Sequence, residues 1–590
     1  MISRVLGETG EATADQPTET VVEGRQRRFW DPGLAILAAL PLVLLAIDSD
    51  WIFSGPHRDA WIYYGYFENA VYLLRRFPAV YYSSRLAVIL PGFVLHHLLP
   101  PLMANLVLHL ALYWAAVLSF YGVVKRTFGV RVALLTGLAL GCHPYLLSEV
   151  GWNYVDGFGI TYFLVALLLV TLAAESPSWR PLLAAAGAVA VAIVSANLFY
   201  VVYLPVLAGH FIILNQRRGN RVPLLACGLW ASLGAAGLFV LFGFLTWGVN
   251  GDFLYLFSSV SFAAGSVGTP SIFRSDTYRW LPDAVWLVFP TVVLLGSALL
   301  LGRAWLDPSL RRNRLLLWSQ VQFLYLALLM LLLQFAGRPI LQYFYYPTLL
   351  IPLAFLAFAG QVTQMTAELP GRRFVALAAA VAVLQVVPLC VPLVRTLSPM
   401  STLFPSTVLL ALPVGLGVVL VLARKATGER AILLAFLCLA LSQLLVRQGG
   451  SIFREFERHG GDGRGLYLQM SHAVAAIESF DPSQNARLWY DADEKDGGVY
   501  DAVASAFLLC PRMINLDFPD LPEARMCDGV QLGPGVPIAI LSADPAAYEK
   551  ADAAIRGIGL SSRLLKREEI AGPSRGFAIT YLRTEAGAAP

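Results

Sequence analysis

Long apolar runs separated by short polar connections make up most of the chain between residues 30 and 450. A bilayer core of ~30 Å is crossed by a helix of about 17–25 apolar residues, and runs of this length recur throughout the region. The pattern predicts about thirteen membrane-spanning helices, although residues 180–214 can also form one kinked pair. The predicted spans centre on residues 33–48, 102–123, 131–147, 157–174, 180–196, 198–214, 222–247, 284–302, 314–335, 345–361, 372–394, 404–423 and 430–447.

The connections between these runs alternate in charge. Short basic loops stay on the cytoplasmic side of a membrane, so the positions of Arg and Lys predict a cytoplasmic N-terminus. An odd number of spans then places everything after residue 448 on the outer side. The basic connections are residues 24–28, 125–131, 215–221, 303–314, 371–373 and 423–430.

The composition supports a membrane protein. Of 590 residues, 57% are hydrophobic and only 14% are charged, with a mean hydropathy of +0.63. A soluble protein carries roughly a quarter charged residues. The net charge of +4 is small and the basic residues lie in short loops, which argues against a nucleic-acid partner. The expected fold class is therefore an α-helical polytopic membrane protein, surrounded by membrane lipids.

The polarity of the chain divides it into three regions. Residues 1–28 have the composition of a disordered cytoplasmic tail. Residues 29–448 form the membrane module. Its first apolar run begins near Leu34 with no small-residue cleavage site after it, so we expect a retained span rather than a removed signal peptide. Residues 449–590 form the segment on the outer side.

The outer segment is predicted to be a compact α/β domain. Three stretches have the composition of strands and two have helical periodicity. In an oxidising compartment, Cys510 and Cys527 are candidates for a disulfide. The chain contains no Asn-X-Ser/Thr sequence, which favours a bacterial periplasm, and therefore the inner membrane, over an endoplasmic reticulum. The predicted strands are residues 486–493, 536–543 and 576–583, and the predicted helices are 466–480 and 546–559.

Two connections on the outer side, residues 49–101 and 250–283, are long, and long loops in compact proteins usually carry function. The first is predicted to hold an amphipathic helix lying at the membrane interface, with Asp59 at its N-cap. Its apolar face has helical spacing. That face consists of Ala60, Tyr64, Phe67, Val71 and Leu74.

Polar and aromatic residues are concentrated on this outer side, whereas the spans carry little charge. They include carboxylates, arginines and tyrosines that a reaction at the membrane surface could use. In chain order these are Asp48, Asp50, Arg58, Asp59, Tyr63, Arg85, Tyr154, Asp156, Arg274, Arg279, Arg338 and Tyr343.

Three stretches of residues 30–450 resemble the GT-C superfamily of integral-membrane glycosyltransferases: "RDAWIYYGYFENA", "GWNYVDGFG" and "GRPILQYFYYP". The nearest likeness is to bacterial polyprenyl-phosphate-sugar-dependent enzymes of the protein-mannosyltransferase and aminoarabinose-transferase type. The resemblance implies that Asp59 activates the acceptor and that Asp156 is the second external carboxylate. The family's Arg-Tyr pair corresponds here to Gln342-Tyr343, and Arg338 lies one helical turn earlier as a substitute for the missing arginine.

Glycosyl transfer from a lipid phosphate requires a base for the acceptor hydroxyl and cations for the phosphate leaving group. Asp59 is the predicted base. The predicted phosphate ligands are Arg58, Arg85, Arg274, Arg279 and Arg338, because a guanidinium matches phosphate oxygens and stays charged. Tyr63, Tyr154, Asp156 and Tyr343 are predicted to contact substrate. No spacing of metal ligands is evident, so we expect a metal-independent reaction without a cofactor, with a divalent cation as the alternative.

Each of these residues also has a simpler interpretation. Asp59 can serve only as a helix cap, and Asp156 can cap the fourth span. The Asp-X-Asp sequence at Asp48 and Asp50 follows a span directly, which favours polar residues at the interface over a metal–nucleotide site. Individual arginines often anchor lipid headgroups. A role as a phosphate ligand is most expected for Arg85 and Arg338.

The predicted function is transfer of a sugar from a polyprenyl phosphate to a glycolipid, polysaccharide or protein acceptor on the outer face. A lipid-linked glycan polymerase or ligase shares this chemistry but uses a pyrophosphate-linked donor. A transporter or flippase without transferase activity is the alternative of another class. Transporters often show internal repeats and ionisable groups at the bilayer midplane, and neither is evident in this sequence.

Overall fold

The computed structural model describes most of the membrane module and most of the outer domain. The described residues are 31–47, 50–54, 58–78, 80–217, 221–268, 288–336, 347–366, 463–483, 485–490, 508–515, 531–542, 544, 546–572 and 576–587. Within these ranges several side chains are not described, among them those of Asp50 and Arg58. The last three predicted spans, centred on residues 372–394, 404–423 and 430–447, lie outside the described residues.

The described part of the membrane module is helical. Fifteen helices occur in chain order: α1 Pro32–Ile47, α2 Arg58–Arg76, α3 Leu86–Leu98, α4 Pro101–Phe128, α5 Val130–Gly141, α6 Pro144–Gly151, α7 Val155–Glu175, α8 Trp179–Ala196, α9 Leu204–Arg217, α10 Leu224–Asn250, α11 Phe257–Gly268, α12 Val288–Leu306, α13 Pro308–Arg312, α14 Arg314–Phe335 and α15 Leu350–Thr366. Short 3-10 helices at Tyr81–Ser84 and Leu198–Tyr203 precede α3 and α9.

Seven of the helical segments are long and apolar enough to cross a membrane, so the chain is a multispanning membrane protein. They are Pro101–Phe128, Val155–Glu175, Trp179–Ala196, Leu198–Arg217, Leu224–Asn250, Phe289–Leu306 and Arg314–Phe335. Helices α1, α3 and α15 are apolar but shorter.

The structure refines the prediction in two places. Residues 180–214 form two separate segments that break at Asn197, whose side chain accepts a hydrogen bond from the backbone N–H of Phe199 at 3.1 Å. The predicted span at 131–147 is instead a broken pair, α5 and α6, bent by 65°. Pro144 is the first residue of α6, because a proline lacks the N–H that a continuous helix would need there.

Helix α7 lies at the centre of the described bundle and packs on α4, α8 and α9. Small residues bring helices α8 and α10 together, since an added Cβ at Gly187 would overlap the carbonyl of Ala231. An added Cβ at Gly234 would likewise overlap the carbonyl of Ala184. This close approach of backbones is typical of membrane helix pairs.

The domain after residue 449 is α/β, as predicted. Its sheet has the order β1-β2-β4-β3, with β1 Arg487–Tyr490, β2 Pro537–Ser542, β3 Leu560–Ile570 and β4 Phe577–Ala586. Strands β1 and β2 are parallel, and β4 is antiparallel to both β2 and β3. The two predicted helices are α16, Gly463–Phe480, and α17, Ala547–Gly557.

Candidate functional site

The candidate site is centred on the first turn of α2. The helix begins at Arg58, so Asp59 lies one residue inside the helix and the N-cap prediction is wrong. Its half-buried carboxylate accepts a hydrogen bond of 2.6 Å from the hydroxyl of Tyr82. A carboxylate in the first turn also gains from the positive end of the helix dipole. The hydrogen bond from Tyr82 thus fixes the position of the Asp59 carboxylate.

Arg85 lies in a cage of tyrosines next to this carboxylate. Its guanidinium carbon is 5.8 Å from the ring centre of Tyr63, 4.7 Å from that of Tyr81 and 5.5 Å from that of Tyr82. Its Nη1 donates a hydrogen bond to the Tyr63 hydroxyl. The side chain is buried and makes no ion pair with any described carboxylate. Burying a cation without a counter-ion is costly, so this cage is suited to receive an anion.

The backbone around Arg85 explains how this position is fixed. The 3-10 helix Tyr81–Ser84 ends at Arg85, whose carbonyl accepts the first hydrogen bonds of α3, from the N–H groups of Val88 at 2.9 Å and Ile89 at 3.0 Å. Ser195 of α8 donates its hydroxyl to the carbonyl of Ser84 at 3.1 Å. The arginine therefore stands at a junction of three elements rather than in a free loop.

A second carboxylate, Asp156, is reached through stacked aromatic rings. Tyr63 lies 5.9 Å from Tyr154 in an edge-on arrangement, and Tyr154 stacks on Trp152 at 4.6 Å. Asp156 is in the first turn of α7, fully buried, and its Oδ1 accepts a hydrogen bond from the Tyr200 hydroxyl. The structure therefore brings five of the predicted site residues into one region: Asp59, Tyr63, Arg85, Tyr154 and Asp156.

Two residues of this region were not predicted from the sequence. Tyr82 connects the carboxylate of Asp59 to the cage of Arg85, and the Tyr-Tyr pair shortly before that arginine was the available signal. Glu149 of α6 is fully buried, and neither of its carboxylate oxygens has a hydrogen-bond partner among the described residues. The sequence feature that could have pointed to Glu149 was an acidic residue within an apolar run. The backbones of Glu149 and Gly157 lie so close that an added Cβ at Gly157 would overlap the Glu149 carbonyl.

Helix α2 is covered by protein along most of its length. It packs on α3, and four residues of its predicted apolar face are buried, whereas Val71 is 41% exposed. The tyrosines at its start are buried too. Burial raises the pKa of the Tyr82 phenol well above its usual value, and the negative charge of Asp59 raises it further. Tyr82 therefore remains protonated and acts as a hydrogen-bond donor.

The outer domain supplies part of that cover. The hydroxyls of Tyr64 and Tyr467 are 2.6 Å apart and share a hydrogen bond. Asn69 has a non-helical backbone (φ −132°, ψ 35°), and its side-chain amide donates to the carbonyl of Leu508 at 2.9 Å. The ring of Tyr467 also lies 5.6 Å from that of Phe53. Both halves of α2 are therefore bound to the outer domain.

Other predicted site residues stay predictions. Arg274, Arg279, Arg338 and Tyr343 lie outside the described residues, and the side chain of Arg58 is not described. Cys510 is buried, but Cys527 lies outside the described residues, so the disulfide is untested. Within the described part of the chain, no group of three or more His, Cys, Asp or Glu side chains could hold a metal ion. Metal independence also stays a prediction.

The chain is similar to several solved structures, although it matches no protein family by sequence. No protein-family model and no curated protein matches the chain. ArnT from Cupriavidus metallidurans in the apo state is similar at 14% identity and a TM-score of 0.44, over 93% of this chain and 98% of that one. The same protein bound to undecaprenyl phosphate is similar at 14% identity and a TM-score of 0.41, over 93% of each chain.

An oligosaccharyltransferase from Archaeoglobus fulgidus, in complex with Zn and sulfate, is also similar. Its identity is 14% and its TM-score is 0.40, over 82% of this chain and 62% of that one.

Proposed function

We propose that this membrane protein is a glycosyltransferase that moves a sugar from a polyprenyl-phosphate donor to a hydroxyl group of an acceptor. One observation carries the proposal. A buried guanidinium, Arg85, has no carboxylate partner among the described residues, and Tyr82 joins its cage to the carboxylate of Asp59. A cation for a phosphate and a base for a hydroxyl, a few side chains apart, are the two groups that this reaction requires.

The reaction proceeds by displacement at the anomeric carbon. Asp59 accepts the proton of the acceptor hydroxyl as its oxygen forms a bond to that carbon. The bond between the carbon and the phosphate oxygen breaks, and its electron pair leaves with the polyprenyl phosphate. The phosphate gains one negative charge, which the guanidinium of Arg85 stabilises.

The tyrosines and the second carboxylate have supporting roles. Tyr63 holds the guanidinium by its hydroxyl and leaves the remaining N–H groups of Arg85 for phosphate oxygens. Tyr154 and Asp156 lie on the far side of Tyr63. We propose that the ring of Tyr154 stacks on the sugar and that the carboxylate of Asp156 accepts hydrogen bonds from the sugar hydroxyls. Arg58, Arg274, Arg279, Arg338 and Tyr343 remain proposed contacts of the donor or the acceptor, and the reaction is proposed to need no metal.

The proposed setting is the bacterial inner membrane, with the N-terminus in the cytoplasm and the outer domain in the periplasm. The basic connections at residues 125–131, 215–221 and 303–314 support this orientation. The outer domain is proposed to cover the site and to influence which glycolipid, polysaccharide or protein is accepted, because it binds α2 through Tyr64 and Asn69.

The test combines binding with turnover. Native mass spectrometry of the purified protein should detect a co-purified polyprenyl phosphate, and transfer should occur from a monophosphate-linked sugar but not from the matching pyrophosphate-linked sugar. Turnover with only the pyrophosphate-linked donor would indicate a polymerase or ligase. Movement of the lipid-linked sugar across vesicles without any glycosidic product would identify a transporter and overturn the proposal.

A further inference from the structure

A basic cavity of about 570 Å³ lies at the opposite end of the bundle from Asp59. Four arginines line it: Arg217 at the end of α9, Arg221 in the segment after α9, Arg312 at the end of α13 and Arg314 at the start of α14. The segment Leu198–Arg217 runs from the neighbourhood of Asp156, where Tyr200 lies, to this cavity. Its 20 residues span roughly 30 Å at 1.5 Å per residue, the thickness of a bilayer core.

None of these four guanidinium groups forms an ion pair with a described carboxylate. Arg314 donates from Nη1 to the side-chain oxygen of Gln216 at 2.9 Å. The one acidic residue in the connection from α12 to α14, Asp307, is used locally, since its Oδ1 accepts from the N–H of Ser309 at 2.8 Å and from its hydroxyl at 2.7 Å. Four like charges around one cavity repel one another, and a bound anion would relieve that repulsion.

Exposed apolar side chains flank both of the connections that line the cavity. Leu224 and Leu225, which begin α10, are 53% and 89% exposed, and Trp305 and Leu306, which end α12, are 81% and 86% exposed. These side chains follow Arg221 and precede Arg312 in the chain, so they border the same two connections. A ligand that satisfies both features has an anionic head and apolar tails.

We propose that this cavity binds the phosphate of an anionic phospholipid from the adjacent leaflet. Guanidinium groups match phosphate oxygens in a bidentate manner, and basic pockets between membrane helices are sites for lipid headgroups. The volume lies within the range of ~300–1,000 Å³ that is usual for small-molecule sites. The exposed leucines and Trp305 contact the acyl chains, which distinguishes a lipid from a free phosphate. This site is separate from the proposed catalytic residues and does not depend on their function.

The test measures lipid retention by native mass spectrometry on the full chain. The probes are phosphatidylglycerol, phosphatidylcholine and the soluble headgroup glycerol 3-phosphate. The double variant Arg217→Gln/Arg312→Gln is compared with Arg126→Gln, whose arginine is in a basic connection but pairs with Glu175 at 3.1 Å, outside the cavity. We expect phosphatidylglycerol to be retained by the wild type and by Arg126→Gln, and to be lost about tenfold or more by the double variant.

Two results would overturn the proposal. Equal retention of phosphatidylglycerol by the double variant and the control would show that the arginines do not hold it. Displacement of the lipid by glycerol 3-phosphate at comparable concentration would show that the cavity recognises a free phosphate instead. A circular dichroism spectrum and melting temperature like those of the wild type would establish that the double variant is folded.

Discussion

Arg85 and Asp59 acquire their proposed roles from the tyrosines between them. The guanidinium lies 4.7–5.8 Å from three ring centres, and Tyr82 belongs both to that cage and to the hydrogen bond on Asp59. Sequence reasoning selected Asp59 and Arg85 from a larger set of acids and arginines on the outer side. It did not select Tyr82, because a hydrogen bond between residues 23 positions apart has no local pattern in the sequence.

Replacing Arg85 by lysine tests whether the guanidinium shape is needed. Arg85→Lys keeps the charge but loses the planar fork, so we expect transfer to fall about 10–100-fold, as for loss of a charge-assisted hydrogen bond of about 1.5–3 kcal/mol. Steady-state kinetics against donor concentration would measure it. The exposed Arg75, at the other end of α2, provides the matched control Arg75→Lys. Equal rates for the two variants would exclude a phosphate role for Arg85.

The hydrogen bond from Tyr82 predicts a loss of activity when its hydroxyl is removed. Tyr82→Phe keeps the ring beside Arg85 but takes away the donor that fixes the position of the Asp59 carboxylate. We expect the transfer rate to fall about tenfold or more, as for loss of a hydrogen bond to a carboxylate of about 1.5–3 kcal/mol. Steady-state kinetics would measure the change. Transfer by Tyr82→Phe at the wild-type rate would show that this hydroxyl does not support the proposed base.

Among the elements, helices α2, α6 and α7 position the site, and they show where sequence patterns reach their limit. Helical spacing identified α2, yet it included the exposed Val71 in the buried face because α2 is kinked at Asn69. A single apolar run hid the break between α5 and α6. Strand β3 was missed, since its Arg, Lys and Glu residues are typical of an exposed sheet edge rather than of a buried strand.

The contact between α6 and α7 leads to a prediction at Gly157. In Gly157→Ala the new methyl group would overlap the Glu149 carbonyl, so α7 must move and carry Asp156 with it. We expect a loss of stability of roughly 1–3 kcal/mol and a clear loss of transfer, measured as melting temperature and rate. Gly237→Ala is the control, because nothing lies within 4 Å of its added Cβ in the middle of α10. Equal behaviour of both variants would contradict this packing.

On the scale of the whole molecule, the membrane module and the outer domain meet on α2. Composition and periodicity predicted both parts, because a membrane core and a soluble α/β domain impose different patterns on the sequence. The contact between them was not predictable in detail, since Tyr64 and Tyr467 are 403 positions apart and no sequence pattern links the two. The outer domain thus becomes part of the site through contacts that only the fold reveals.

Tyr467→Ala tests this connection. The variant loses the hydrogen bond to Tyr64 and the ring contact with Phe53, so the start of α2 is less firmly held. We expect the transfer rate to fall about tenfold, as for loss of at least 1.4 kcal/mol of positioning free energy. His472→Ala, exposed on the same helix, should leave the rate unchanged. Unchanged transfer by Tyr467→Ala would show that the domain does not support the site.

The most direct test of the account is the rate of sugar transfer by Asp59→Asn with a polyprenyl-phosphate-linked donor. The amide has nearly the shape of the carboxylate but cannot accept the acceptor's proton, so the rate should fall about 10²–10⁴-fold while donor binding persists. Asp252→Asn is the control, since that aspartate lies in an exposed turn, where its Oδ1 accepts from the N–H of Leu254 at 2.9 Å. Transfer by Asp59→Asn at the rate of the wild type and the control would contradict the account.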